Sequence, residues 1–321
     1  MVQQLALLFS VLAVLLISGC ATYSTINNTQ QTLHQAPNNY SLKHYNAAHN
    51  RSDDITLVLA FSGGGSRAAA LSYGVLQGLR DTTVTLDGEH KRLVDEIDLI
   101  SSVSGGSFTA AYFGLYGDRI FADFEEDFLR RDYVSEWIYG VISPFLWLSD
   151  KGRTDVASSI YEQRLFHGAT FGDLQRRNGP LILINATDLG GGSRFTFVQE
   201  YFDLICSDIA TYPISRAVTA SSAVPVMLNP VVLKNHSGCT SATENYLKQF
   251  DDDYLTKAPL APQLHATKQV LHSYTNHEQR QYIHLVDGGI TDNLGLGAFY
   301  EMVELGGGIA HFMERIRSKP S

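Results

Sequence analysis

Three short segments carry residue types suited to one chemistry, and they occur in a fixed order: Gly63-Gly64-Gly65-Ser66-Arg67, Ser102-Val103-Ser104-Gly105-Gly106 and Asp287-Gly288-Gly289. The first offers a row of backbone N–H donors, the second a serine on a sharp turn, and the third a carboxylate that backbone can approach closely. A nucleophile, a base and donors for a developing oxyanion are the parts that acyl transfer requires.

Ser104 stands between a strand pattern and a helix pattern, flanked by Gly105 and Gly106. This is the arrangement of a nucleophile elbow, in which a tight turn pushes the hydroxyl outward at a helix start. Ser102 replaces the first glycine of the strict G-x-S-x-G pattern. The triple glycine lacks both the G-x-x-x-x-G-K-[ST] and the G-x-G-x-x-G spacing, so nucleotide binding is disfavoured. Three residues without Cβ at a helix start suit an oxyanion instead, where each donor is worth about 3 to 4 kcal/mol in the transition state. Arg67 in the first helical turn either locks this loop, meets a phosphate headgroup or is a surface arginine.

Asp287 follows a strand and precedes two glycines, at the carboxyl edge of a sheet where ligands of open α/β folds gather; a turn-forming aspartate is the blander reading. Two bases are open for Ser104. Asp287 accepts the proton directly if its carboxylate is partly desolvated. Alternatively, the chain order serine, acid, histidine of α/β-hydrolases places His311 in the role, because it alone among 11 histidines follows Asp287.

The elements that must position these residues are legible in the hydrophobic pattern. Residues 55–61 form a nearly continuous apolar run, the signature of a strand buried on both faces, and Ala69, Leu71, Val75, Leu76 and Leu79 then recur at helical spacing. Residues 97–102 and the small-residue stretch from Gly105 repeat this grammar. Two strand-turn-helix units predict a parallel sheet with right-handed crossovers. Residues 181–188 and 194–199 flank Gly190-Gly191-Gly192 and read as an antiparallel hairpin. Residues 214–223 form a short helix stopped by Pro225, and 282–286 a last strand followed by a helix from about Asp292. The whole reads as one α/β domain with a mobile insertion between residues 115 and 175. Within it, residues 137–148 hold both tryptophans and serve as a lid, an acyl-groove wall or core packing. Asp251-Asp252-Asp253 with His265, His272 and His277 reads as a solvated loop rather than a metal site.

Composition bounds the setting. A chain of 321 residues that is 44% hydrophobic supports a sizeable core, and a net charge of −9 argues against nucleic acid as a partner. The apolar run 5–17 spans roughly 20 Å as a helix, short of the roughly 30 Å hydrocarbon core. It reads as a secretory signal over residues 1–19, although no Lys or Arg precedes it. Ile17-Ser18-Gly19-Cys20 resembles a bacterial lipobox, which implies cleavage before Cys20, lipidation of that cysteine and, with Ala21 following, an outer-membrane lipoprotein facing the periplasm. Residues 20–54 are polar and aperiodic, the composition of a flexible tether with a reach of roughly 30 Å. Cys206 and Cys239, 33 residues apart, form either a disulfide or two buried thiols.

Taken together, the glycine loop with Arg67, the serine turn and the Asp-Gly-Gly of Asp287 resemble the patatin-like phospholipases over about residues 55–305. Asn185-Ala186-Thr187-Asp188 and Ala220-Ser221-Ser222-Ala223-Val224-Pro225 support the resemblance. It implies a three-layer α/β/α fold with a mostly parallel central sheet. It also implies a Ser-Asp dyad of Ser104 and Asp287, an oxyanion hole around Gly63, Gly64, Gly65 and Arg67, and hydrolysis of phospholipid or other lipid esters at a membrane surface, with no metal or cofactor. The chain ends 34 residues after Asp287, sooner than the resemblance leads one to expect, as a truncated C-terminus would. A catalytically inactive lipid-binding lipoprotein with this fold, and an esterase using His311, are the alternative readings.

Overall fold

A computed structural model of the chain describes residues 25–31, 40–41, 51–52, 54–133, 136, 151–177, 179–239 and 261–305. Cys20, residues 137–148, Asp251 to Asp253 and His311 lie outside them. In chain order the elements that concern the site are β1 (Thr29–Gln30), β2 (Leu57–Phe61), α1 (Gly65–Asp81), a hairpin of β3 (Thr83–Leu86) and β4 (Glu89–Arg92), β5 (Ile97–Val103) and α2 (Gly105–Tyr116). After the short α3 (Ile120–Phe124), α4 (Arg153–Tyr161) and α5 (Phe171–Arg177) come β6 (Leu181–Asp188), β7 (Ser193–Thr196), α6 (Gln199–Leu204), β8 (Ser207–Asp208), α7 (Ile214–Ser221) and β9 (Val231–Lys234). The described chain closes with α8 (Ala261–Ser273), β10 (Tyr282–Val286), α9 (Gly289–Asp292) and α10 (Leu296–Leu305).

Six strands form a central sheet in the order β2-β5-β6-β10-β9, with β7 also paired to β6 and helices on both sides. β2, β5 and β6 are parallel, as the repeated strand-turn-helix grammar predicts, whereas β10 is antiparallel to both β6 and β9. The sheet is therefore mostly, but not purely, parallel. Every residue of β5 and β6 is buried, in keeping with strands covered on both faces. Gly105 to Leu115 of α2 are buried all round, so this helix is a core element and not an amphipathic cover.

The register explains how distant residues meet. At Asn185, β6 pairs with Val103 of β5 and Thr196 of β7; two residues on, Thr187 pairs with Val286 of β10 and Arg194 of β7. Because β7 pairs with one edge of β6 along residues 185–188, β5 and β10 share the other. They run toward each other along it, one parallel and one antiparallel, and their carboxyl ends converge beside residues 185–187.

Two expectations need correction at the described residues. Within the polar segment read as a tether, residues 25–31 and 40–41 are docked: β1 pairs with β8, Asn28 is buried against Ser207 Oγ and the Lys234 carbonyl, and the buried Tyr40 hydroxyl donates to the Ile182 carbonyl and accepts from the Ile182 N–H. A few side chains that complete backbone hydrogen bonding of the domain suffice to hold a stretch with no hydrophobic period. Residues 115–175, read as mobile, contribute a packed aromatic cluster in which Phe128 stacks on Phe108 and Phe124 at centroid distances of 4.6 and 5.2 Å. Ring packing of this kind contributes beyond simple burial.

Cys206 and Cys239 are joined as a disulfide, which settles the alternative left open by their spacing. Closing a loop of that length stabilises by roughly 3 to 4 kcal/mol on the chain-entropy model.

Candidate active site

β5 ends at Val103, and the chain then turns abruptly into α2 through Ser104. This serine holds φ 49° and ψ −120°, a conformation in the positive-φ range that non-glycine residues rarely occupy and that tends to be kept where it serves a purpose. The two glycines that follow are required by close approach. A Cβ on Gly105 would lie 2.0 Å from the Gly65 carbonyl oxygen, and one on Gly106 would lie 2.6 Å from that of Phe61. Ser102, in place of the usual glycine, fits without disturbing the turn: it is fully buried and its Oγ donates to the Leu183 carbonyl at 2.9 Å.

Across the sheet edge, β10 delivers Asp287. Ser104 Oγ donates to Asp287 Oδ2 at 2.9 Å, although the two are 183 positions apart. Asp287 Oδ1 accepts the Gly289 N–H at 2.7 Å. Both side chains are nearly enclosed, at 7% and 8% exposure. Burial pushes the Asp287 carboxyl above its ordinary range, while the Gly289 amide and the Ser104 hydroxyl pull it partly back. Among the described residues no cation pairs with it. A carboxylate in this state is a stronger base than a solvated one, and it sits within direct proton-transfer distance of a hydroxyl. Among the described residues no histidine is hydrogen-bonded to either group.

The glycine loop lies on the near side of Ser104, whose Cβ would come within 3.3 Å of a Cβ on Gly63. Gly64 and Gly65 have φ of 137° and 64°, a path that only residues lacking Cβ follow readily. The Gly63 N–H is donated to the Asn293 carbonyl at 2.8 Å. Gly64 and Gly65 are exposed at the start of α1. Arg67 is exposed in the first turn of that helix, outside the hydrogen-bonded core of the site.

Beneath the pair lies a set of buried groups to which the sequence reading assigned no role. The Ser104 N–H donates to Ser221 Oγ at 2.8 Å, and Ser221 Oγ donates to the Asn185 carbonyl at 2.6 Å. Ser107 Oγ lies 3.0 Å from Ser221 Oγ and 3.2 Å from Ser102 Oγ. Asn185 and Ser221 sit in the two supporting segments already noted, but hydroxyls in a small-residue helix look like any other buried polar residues until their partners are known. Asn293, which carries no motif of its own, takes up the Gly63 amide.

On the segments that flank the pair in sequence, apolar side chains are exposed. The turn after α7 exposes Val224, Val226 and Met227, and the segment after Asp287 exposes Ile290, Leu294 and Leu296. Val226 is 88% exposed and, despite its branched side chain, has φ 74°; the Arg153 guanidinium donates to its carbonyl at 2.8 Å. Among the described residues no helix is long and apolar enough to cross a membrane.

The family model for patatin-like phospholipase matches residues 59–300. No curated protein sequence matches the chain significantly. Among solved structures, the human GIVD cytosolic phospholipase A2 is similar at 16% identity with a TM-score of 0.38, over 79% of this chain and 45% of that one. The chain thus spans less than half the length of that structure.

Proposed function

The chain belongs to the patatin-like phospholipase family, and from that premise we propose that it is a serine-dependent lipid acyl hydrolase of the phospholipase A type, working through Ser104 and Asp287. Family membership supports lipid hydrolase activity and lipid substrates in general. The assignment of the dyad is carried by one observation, the 2.9 Å hydrogen bond between Ser104 Oγ and Asp287 Oδ2.

In this reading the Ser104 proton passes to Asp287 Oδ2 as Oγ attacks the ester carbonyl carbon. The carbonyl oxygen becomes an oxyanion held by the Gly64 and Gly65 amides. The tetrahedral intermediate collapses by expelling the lipid alcohol, which takes the proton from Asp287 and leaves an acyl-serine. Water then gives a proton to Asp287 and attacks the acyl carbon. Collapse releases the fatty acid and returns the proton to Ser104 Oγ.

The exposed valine, leucine, isoleucine and methionine side chains on the segments next to Asp287 and after α7 support action at a lipid surface, where apolar area gains by leaving water. Anchoring through a lipidated Cys20, facing the periplasm at the outer membrane, completes the proposed setting.

Labelling with a fluorophosphonate probe, followed by product analysis on mixed phospholipid vesicles, tests the reading. Wild type is expected to be labelled and to release fatty acid, with both signals absent in Ser104→Ala. A well-folded wild type that takes no label and releases nothing would instead favour the non-catalytic lipid-binding lipoprotein.

A further inference from the structure

We propose that Ser221, at the carboxyl end of α7, is a positioning residue that clamps the two halves of the Ser104–Asp287 pair into one unit. The kinetic part of this inference rests on the hydrolase reading above; its structural part does not.

The need for such a residue follows from the strand register. β5 makes its last ladder pair at Val103 with Asn185, so the amide of Ser104 leaves the sheet at the point where the chain turns into φ 49°. A buried N–H without an acceptor would destabilise this turn. Ser221 Oγ supplies the acceptor at 2.8 Å. From the same residue, the backbone carbonyl accepts the Gly288 N–H at 3.0 Å, and two residues later the Ala223 carbonyl accepts the Asp287 N–H at 2.9 Å. One helix end therefore holds the amide of the serine and the amides on either side of the aspartate's Cα–C unit.

The hydroxyl proton of Ser221 is accounted for. Its Oγ lies 2.6 Å from the Asn185 carbonyl oxygen, a separation at which two lone-pair oxygens repel, so Ser221 donates there. That leaves the lone pairs of Ser221 Oγ as acceptors, one of them for the Ser104 N–H; Ser107 Oγ, which donates to Ser102 Oγ at 3.2 Å, lies 3.0 Å away. Asn185 is the β6 residue beside which β5 and β10 converge, and a Cβ on Gly288 would come within 2.4 Å of its carbonyl oxygen. Ser104, Ser221, Asn185 and Gly288 are thus a four-way junction, fully buried at Ser221, with no slack for the serine or the aspartate to move independently.

A residue that only filled space here would affect stability without separating kcat from KM. A clamp predicts otherwise. In Ser221→Ala, amide hydrogen exchange at Ser104, followed by mass spectrometry on peptides spanning residues 102–108, is expected to speed up about 10-fold or more, while exchange at Gly288, whose acceptor is a backbone carbonyl, changes less. The kcat for a short-chain p-nitrophenyl ester is expected to fall about 10- to 100-fold with KM within about twofold, because misplacement of the nucleophile is felt in the transition state and not in binding. Ser221→Thr, which keeps the hydroxyl, is expected to restore most of the rate. If the alanine variant does not fold, Ser221→Cys fills the position with a poor acceptor and should give the same pattern more mildly. Unchanged Ser104 exchange in these variants overturns the clamp whatever the activity, as does a rise in KM with kcat intact. An inactive, unlabelled wild type would end the hydrolase reading, yet the exchange comparison would still decide the clamp.

Discussion

Asp287 and Asp188 lie close together at one end of the same sheet, yet the molecule treats them in opposite ways. Asp188 closes β6 with no exposed surface; it is ion-paired with Arg280 and accepts from the Tyr274 hydroxyl at 2.9 Å and the Gly190 N–H at 3.1 Å. Its charge is answered by a cation and by two neutral donors. Among the described residues Asp287, nearly as buried, has one amide and one hydroxyl as partners. The difference teaches which carboxylate is available for chemistry. A buried charge matched by a guanidinium holds structure together, whereas one left with neutral donors has its proton affinity raised and remains able to accept a proton.

The largest effect that would sharpen this contrast is on turnover. Asp287→Asn keeps the shape and one acceptor but removes the base, and the rate of lipid ester hydrolysis is expected to fall by about 10³-fold or more. Circular dichroism melting should show no loss of stability in the same variant. If Asp287→Asn unfolds the protein instead, the two aspartates are alike and the contrast collapses.

Asp188→Ala should produce the mirror image. Removing one partner of a buried pair leaves Arg280 and the Tyr274 hydroxyl facing an empty site, at a cost of about 3 to 5 kcal/mol in urea unfolding. The folded fraction is expected to retain its probe-labelling rate within severalfold. A labelling rate abolished in parallel with Ser104→Ala would show that Asp188 belongs to the reaction.

Smaller in size is the effect of crowding the base's own support. A Cβ on Gly289 would stand 3.0 Å from Asp287 Oδ1 and 2.7 Å from Asn293 Oδ1, so Gly289→Ala must displace one of them. Steady-state kinetics should show a loss of about 10-fold in kcat with little change in KM.

The smallest effects are those of pH. Because burial raises Asp287 above 3.8, the acid limb of the kcat/KM profile should lie above that value, with activity lost as pH falls through the folded-state pKa. Stability has the opposite dependence. The folded state holds this proton more tightly than the unfolded chain, so the contribution of Asp287 is greatest below the unfolded pKa and declines as pH rises through the raised one. Asp287→Asn should therefore gain Tm on wild type above that window and match it below. An acid limb at or below 3.8 would place the aspartate's ionisation outside the rate.

Much of this was legible in the residues. The strands over residues 55–61 and 97–102, the hairpin across 189–192 and the helices after each glycine turn all follow from apolar period and breaker residues, because those signals are local. Ser104 and Asp287 were legible for the same reason, each lying where a strand gives way to glycine. The sequence pointed to all three glycines of the loop equally; only the position of Asn293 shows that the Gly63 amide is already engaged. Tyr40 and Asn28 were unreadable as docking residues because a single side chain completing a distant backbone bond leaves no periodicity. Ser221 is the sharpest case. Its neighbours spell a short helix, and nothing within that helix reveals that its hydroxyl faces a turn 117 positions away.

Local patterns suffice for the inventory: a serine on a turn, a carboxylate at a strand end, a glycine path at a helix start, and the order in which strands and helices alternate. Such features depend on backbone preferences and burial patterns of adjacent residues. Long-range pairing alone sets β10 against β6 along the edge β5 occupies, so that two strand ends meet head to head and the side chains of Ser104 and Asp287 share a hydrogen bond. Direction and register are set by long-range pairing and by which buried amides find acceptors, and no stretch of neighbouring residues carries that information.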